Sequence, residues 1–182
     1  MPKLFDKISY LWICFRHLTT SVVYDHSVLF ISRRNVIRAP IAKAVFTKIL
    51  KDQSLMDMWQ VDSAAIDVWQ LGNEIDERAM EVLRLHNYEI DDHKARQISN
   101  KDFFQYEYML VMDEGELFDL SKLAPVNSKT IRQLLGTFDP SGDIYIDDPY
   151  FTKGMKPIIQ TLLHCQRSCE NFLRQLQLKS KK

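Results

Sequence analysis

The sequence predicts a single α/β domain built on a central four-stranded parallel sheet with helices on both faces. Three observations carry this expectation. Short apolar runs alternate with amphipathic stretches along the chain, and parallel strands need crossover connections of that kind. A chain of 182 residues with 46% hydrophobic content has enough apolar material for one substantial core. The first apolar run leads through a polar loop into a helix, the strand–loop–helix unit with which such sheets begin.

The elements follow in order. Residues 1–26 continue no alternation and are expected to form an amphipathic or disordered extension. Their apolar run 8–15 (ISYLWICF) is flanked by Lys3, Lys7 and Arg16 and falls far short of the ~20 residues that a membrane span needs. Thr19, Thr20 and Ser21 make a weak cleavage site for a secretory signal. The domain is expected over 27–178, with a basic tail at 179–182. Residues 27–31 (SVLFI) read as the first strand and 32–39 as a loop. Pro40 opens a helix in which Ile41, Val45 and Ile49 recur at helical spacing. Residues 59–64 (WQVDSA) read as the second strand. Asp76 caps a helix carrying Met80, Leu83 and His86 on one side, with Asn87 as its stop. Residues 108–112 (YMLVM) form the third strand, Asp113 caps an acidic helix, and 129–135 (KTIRQLL) form the fourth. The last helix spans 157–178, with Ile158, Leu162, Cys165, Cys169, Phe172 and Leu176 as its apolar stripe.

Lysine plus arginine and aspartate plus glutamate number 24 each, so the net charge gives no reason to expect a nucleic-acid partner, and any anion binding is local. Three cysteines, Cys14, Cys165 and Cys169, are an odd count that fits a reducing compartment, and a cytoplasmic protein is expected. Cys165 and Cys169 share a helix face without further thiols or paired histidines, so they read as structural thiols, and no metal or cofactor is expected.

In open α/β sheets the ligand site lies beyond the carboxyl ends of the strands, which selects the loop 32–39. A loop that feeds a helix N-terminus presents backbone N–H groups and the positive end of the helix dipole to an anion. Its segment VLFISRRNVIRAPIAKAVF (28–46) resembles the signature of the low-molecular-weight protein tyrosine phosphatases, in which a strand leads into cysteine, five residues, arginine, serine and proline. The similarity continues through Val61 to Ala65, Leu71 to Asn73, Ala95 to Ile98, Met112 to Glu114, Leu134 to Gly136 and Asp147 to Tyr150.

The resemblance implies roles at matching positions. Ser32 stands at the nucleophile, Arg38 at the phosphate-gripping arginine, and Asp148 at the general acid that protonates the leaving phenolate. Arg33, Arg34, Asn35, Val36 and Ile37 complete the cradle, Asn35 at the asparagine that holds its shape. Tyr150 and Phe151 would line one wall of the cleft and Trp69 the other. Taken singly these are ordinary residues: Asp148 with Pro149 is a turn dipeptide, Trp69 a half-buried aromatic, Arg38 a loop charge. Their joint order around one strand–loop–helix is what points to a site. His86 and His93 read as structural or surface residues.

Three departures fall in the loop. Ser32 replaces the cysteine, and whereas a protein can tune a thiol to a pKa of roughly 5, a hydroxyl starts near water's value of about 16. That gap corresponds to on the order of 14 kcal/mol of ionisation free energy. Arg34 stands where the family has glycine, which raises the prospect of a strained or filled cradle. Ala39 removes the hydroxyl that follows the arginine. The expectation is a pseudophosphatase that binds phosphotyrosine proteins or other phosphate anions without hydrolysing them. An active or weakly active phosphatase and an interaction scaffold with a closed pocket are the alternatives.

Overall fold

The computed structural model describes residues 24–179, so the expectations for residues 1–23, including Cys14 and the 8–15 run, and for the tail beyond Lys179 lie outside the described residues. Strand β1 (His26–Ser32) leads into helix α1 (Arg38–Asp52). A 3-10 turn (Met56–Met58) precedes β2 (Trp59–Ala65), which is followed by α2 (Glu77–Leu85) and a one-turn helix α3 (Asp102–Gln105). Then come β3 (Tyr108–Val111), α4 (Glu114–Leu123), β4 (Ile131–Leu134) with a second 3-10 turn (Leu135–Phe138), and α5 (Lys156–Lys179).

All strands are parallel, in the order β2-β1-β3-β4. The chain goes from β1 outward to β2, then crosses back to β3 on the other side. The topological switch therefore lies between β1 and β3, where the loop after β1 meets the residues that follow β3.

Successive residues of β1 face opposite ways, and each face has its own core. Val28 and Phe30, with Leu110 and Met112, pack under α1, α2 and α5 through Ile41, Phe46, Leu83 and Leu162. Leu29 and Ile31, with Met109 and Val111, pack under α3 and α4 through Phe103 and Leu120. Strands buried on both faces read as unbroken apolar runs rather than alternating ones, which is the pattern of 28–31 and 109–112. The expected stripe of α5 is buried from Ile158 to Phe172, with Leu176 at its margin. Cys165 and Cys169 are buried free thiols on this stripe, and burial pushes the Cys165 thiol up to about 12.

The caps form as read. Asp76 accepts from Arg78 N, and Asp113 from Glu116 N at 2.8 Å. Asn87 leaves α2 with φ 59°. Strand and helix ends shift by a residue or so, and larger differences from expectation lie at α1, β4 and α3. Helix α1 begins at Arg38 rather than Pro40, because a proline is tolerated in a first turn, where N–H groups have no intrahelical acceptor. The fourth strand is four residues long rather than seven, since the chain turns in at Leu135 to reach α5. Helix α3 had no expected counterpart; Asp102 accepts from Ser99 N and Oγ to start it. Among the described residues no helix is long and apolar enough to cross a membrane.

Candidate functional site

With Ser32 the last residue of β1 and Arg38 the first of α1, the loop between them contains five residues, 33–37. Its carbonyls are anchored to neighbouring segments: Ser32 O accepts from Ile66 N, Arg33 O from Asp67 N, and Val36 O from Asp76 N. Asn35 takes the left-handed conformation with φ 55°, which asparagine tolerates better than most residues. Arg34 is not among the positive-φ residues, so the glycine-to-arginine change brings no left-handed strain, and its consequence lies in where the side chain goes.

His93 props the turn, donating from Nε2 to Asn35 O at 2.8 Å. Burial pushes its imidazole below the ordinary range, in keeping with a neutral ring whose one N–H is used here. Asn35 is fully buried, yet its side-chain Oδ1 and Nδ2 make no hydrogen bond among the described residues, in a loop whose next hydroxyl position is the methyl of Ala39. Val36 and Ile37 turn their side chains into the core, so they serve the loop through the backbone alone. Ser32 is buried, and the one hydrogen bond to its Oγ among the described residues comes from Asn35 N at 3.2 Å.

The loop's three guanidinium groups are each held by carboxylates. Arg38, 3% exposed, donates from Nη1 to Asp113 Oδ2 at 2.8 Å and to Ile146 O at 3.0 Å. Its Nη2 donates to Glu116 Oε1 at 2.8 Å and to Asp148 Oδ2 at 3.0 Å. Arg33 reaches Asp67 at 3.4 Å and Asp119 at 3.1 Å. Arg34 crosses the cleft to Asp148 Oδ2 at 3.1 Å, its Cζ 4.3 Å from the Tyr150 ring centroid and 5.0 Å from that of Phe151. Three cations thus face five carboxylates.

Glu116 is the most enclosed of them, fully buried and accepting from Met112 N and Arg33 N as well as from Arg38. Burial pushes its carboxyl up to about 7 against the pull of the Arg38 guanidinium. Burial also acts on Asp113, but hydrogen bonds from Arg38 and Glu116 N hold it below the ordinary carboxylate range. The space left between Ser32, Arg34, Asn35, Arg38, Asp148 and Tyr150 is about 10 Å³, roughly the room that a single water needs.

The structure therefore brings together Ser32, Arg34, Asn35, Arg38, Asp148 and Tyr150. It places Phe151, 82% exposed, beneath Arg34, while Trp69 is 78% exposed and does not line the cavity. Arg33 points away, toward Asp67 and Asp119. Glu116, Asp67 and Asp119 were missed in the sequence. The available signal was an arginine-rich loop in a chain whose first residues after β3 are acidic, because buried arginines require carboxylate partners.

A parallel sheet of this order with a strand–loop–helix turn at its switch point defines the doubly wound α/β class, whose ligand sites lie at that turn. Within that class the chain belongs to one family: residues 27–182 match the model of the low molecular weight phosphotyrosine protein phosphatases. A pig protein of that name is 40% identical over 151 residues, covering 81% of this chain and 93% of the pig protein. The crystal structure of Primo-1 superposes with a TM-score of 0.78 at 35% identity, covering 82% of this chain and 97% of that one. That of DARP, a Drosophila arginine phosphatase, gives 0.78 at 35%, covering 82% and 96%.

Proposed function

We propose that this chain is a catalytically silent member of its family, a pseudophosphatase whose phosphate cradle is closed by its own ion pairs. The observation that carries the reading is the state of the two groups that chemistry would need. Ser32 Oγ faces a backbone N–H instead of a base, and the Asp148 carboxylate is bonded to two guanidiniums and to Tyr150 N. Among the described residues no base bonds Ser32 Oγ to offset the ~10-unit gap in acidity between a hydroxyl and a tuned thiol. A phosphotyrosine group or another phosphate anion entering here would have to displace the carboxylates that Arg38 already serves. Binding of phosphate is therefore expected to be weak, and the scaffold reading gains on the anion-binding one. The domain at 27–178 and a cytoplasmic location belong to the same reading.

An aryl-phosphate assay at pH 5 to 7 tests it. The protein should show no turnover above background, and Ser32→Cys should restore little, because Arg34 still fills the cleft against Asp148 and Ala39 still lacks a hydroxyl. Ser32→Cys with Arg34→Gly and Ala39→Ser should restore more. Turnover by the unaltered chain that is lost in Asp148→Ala would end the proposal.

A further inference from the structure

The closed cleft is also a formed receptor for a guanidinium. Arg34 rests on the Tyr150 and Phe151 rings, which stand 87° apart with centroids at 4.8 Å, and pairs with Asp148. Stacking on aromatic faces together with a carboxylate is the environment that a planar guanidinium prefers and that an ammonium uses less well. The receptor groups are held in place without Arg34. Asp148 Oδ1 accepts from Tyr150 N at 3.1 Å, the Tyr150 hydroxyl accepts from Gln70 Nε2 at 2.8 Å, and Tyr150 O accepts from Arg78 Nη2 at 3.2 Å. Phe151, at 82% exposure, leaves the slot accessible from outside.

The carboxylates around the slot would draw a basic ligand, although two of them already serve cations of this chain. A groove of about 560 Å³ runs from Tyr150 past Glu74, which pairs with Lys94, Asp76, which pairs with Arg78, and Glu77. On the opposite side the exposed Asp143 and Asp147 flank Asp148. An approaching phosphate would face these carboxylates, whereas an arginine would be steered by them.

We infer that Asp148, Tyr150 and Phe151 form a docking site for an arginine side chain in a basic segment of a partner protein, and that Arg34 is the intramolecular occupant which this arginine replaces. The exchange swaps one guanidinium for another, so the charge around Asp148 is unchanged, and Arg34 is released toward solvent. The inference rests on the proposed closure of the phosphate cradle, since a bound phosphate would compete with Asp148 for the guanidiniums of Arg34 and Arg38.

The test titrates the full chain, at low salt and by calorimetry and amide NMR, with three blocked peptides: one of alternating glycine and arginine, its lysine counterpart, and a phosphotyrosine peptide. The arginine peptide should bind several-fold tighter than the lysine one. Asp148→Asn and Phe151→Ala should each weaken it about tenfold, and Arg34→Ala should tighten it about tenfold by removing the competitor. Arg34→Gln, which keeps the side-chain length and loses the charge, should act like Arg34→Ala and guards against a folding effect. Equal binding of the arginine and lysine peptides, or no gain in either Arg34 variant, overturns the docking site. Phosphotyrosine binding that is lost in Arg38→Ala overturns closure of the cradle instead, and the arginine-peptide arms then decide the docking site separately.

Discussion

The family resemblance leads one to expect a phosphate-gripping arginine at Arg38, and its four hydrogen bonds among the described residues go to protein oxygens. A charge-assisted hydrogen bond is worth about 1.5–3 kcal/mol, so Glu116 and Asp148 are substantial competitors for any anion. The double variant Glu116→Gln with Asp148→Asn should therefore bind phosphate or vanadate roughly tenfold or more tighter than the unaltered chain, read by calorimetry. Unchanged weak binding would mean that the cavity, rather than charge, excludes the ion.

Glu116 also makes stability pH-dependent. Burial raises its folded-state pKa from 4.5 to about 7, so between these values the folded protein binds the proton more tightly than the unfolded chain does. The resulting stabilisation is fully present below pH 4.5 and is lost as pH rises through 7. His93 acts in the opposite sense: its lowered pKa gives a contribution that is present above 6.5 and lost as pH falls. Urea midpoints from pH 5 to 8 should fall with rising pH in the unaltered chain relative to Glu116→Gln, the His93 contribution cancelling in that difference. Parallel curves would refute the assignment.

Among the elements, the segment between the second 3-10 turn and α5 matters most, because it carries Asp148 and Tyr150 without regular secondary structure of its own. It is located by its neighbours. Ile146 N donates to Met112 O, His164 donates to Asp143 O, and Asp139 is held by Arg167 and Ser141. Gly136 permits its closest approach, since a Cβ there would run into the backbone of Ile144. Gly136→Ala should cost about 1–3 kcal/mol in urea denaturation, as overpacking does elsewhere, and should shift the Asp148 and Tyr150 amide resonances. A variant of unchanged stability would show that the segment yields freely.

For the molecule as a whole, α5 closes one face of the sheet through Phe172. Its ring centroid lies 5.6 Å from that of Phe46, 5.2 Å from Tyr108 and 4.9 Å from Phe138, so it joins α1, β3 and the second 3-10 turn. Phe172→Ala should destabilise the domain by about 3–5 kcal/mol, measured by denaturant midpoint. A loss below about 1 kcal/mol would mean that α5 docks independently of this ring.

The sequence by itself determined the parallel sheet, the order of its elements, the caps at Asp76 and Asp113, and the location of the cradle between β1 and α1. These follow from local periodicity and from residues close together in the chain, where each apolar run or capping side chain acts on its own neighbourhood. It also displayed a serine, Ser32, where the resembling signature has cysteine. Only the tertiary structure decided what the arginines do. Glu116 meets Arg38 across 78 residues and Asp148 meets Arg34 across 114, pairings that exist because β1 and β3 are adjacent in the sheet and the 143–151 segment folds back over their ends. Trp69 read as a cleft wall and is 78% exposed in the fold, because the burial of a loop aromatic is set by packing between distant segments. The sequence displayed the cations of the loop, but the carboxylates that neutralise them were assembled by the fold, since burying a guanidinium is favourable only where ion pairs and hydrogen bonds replace its water.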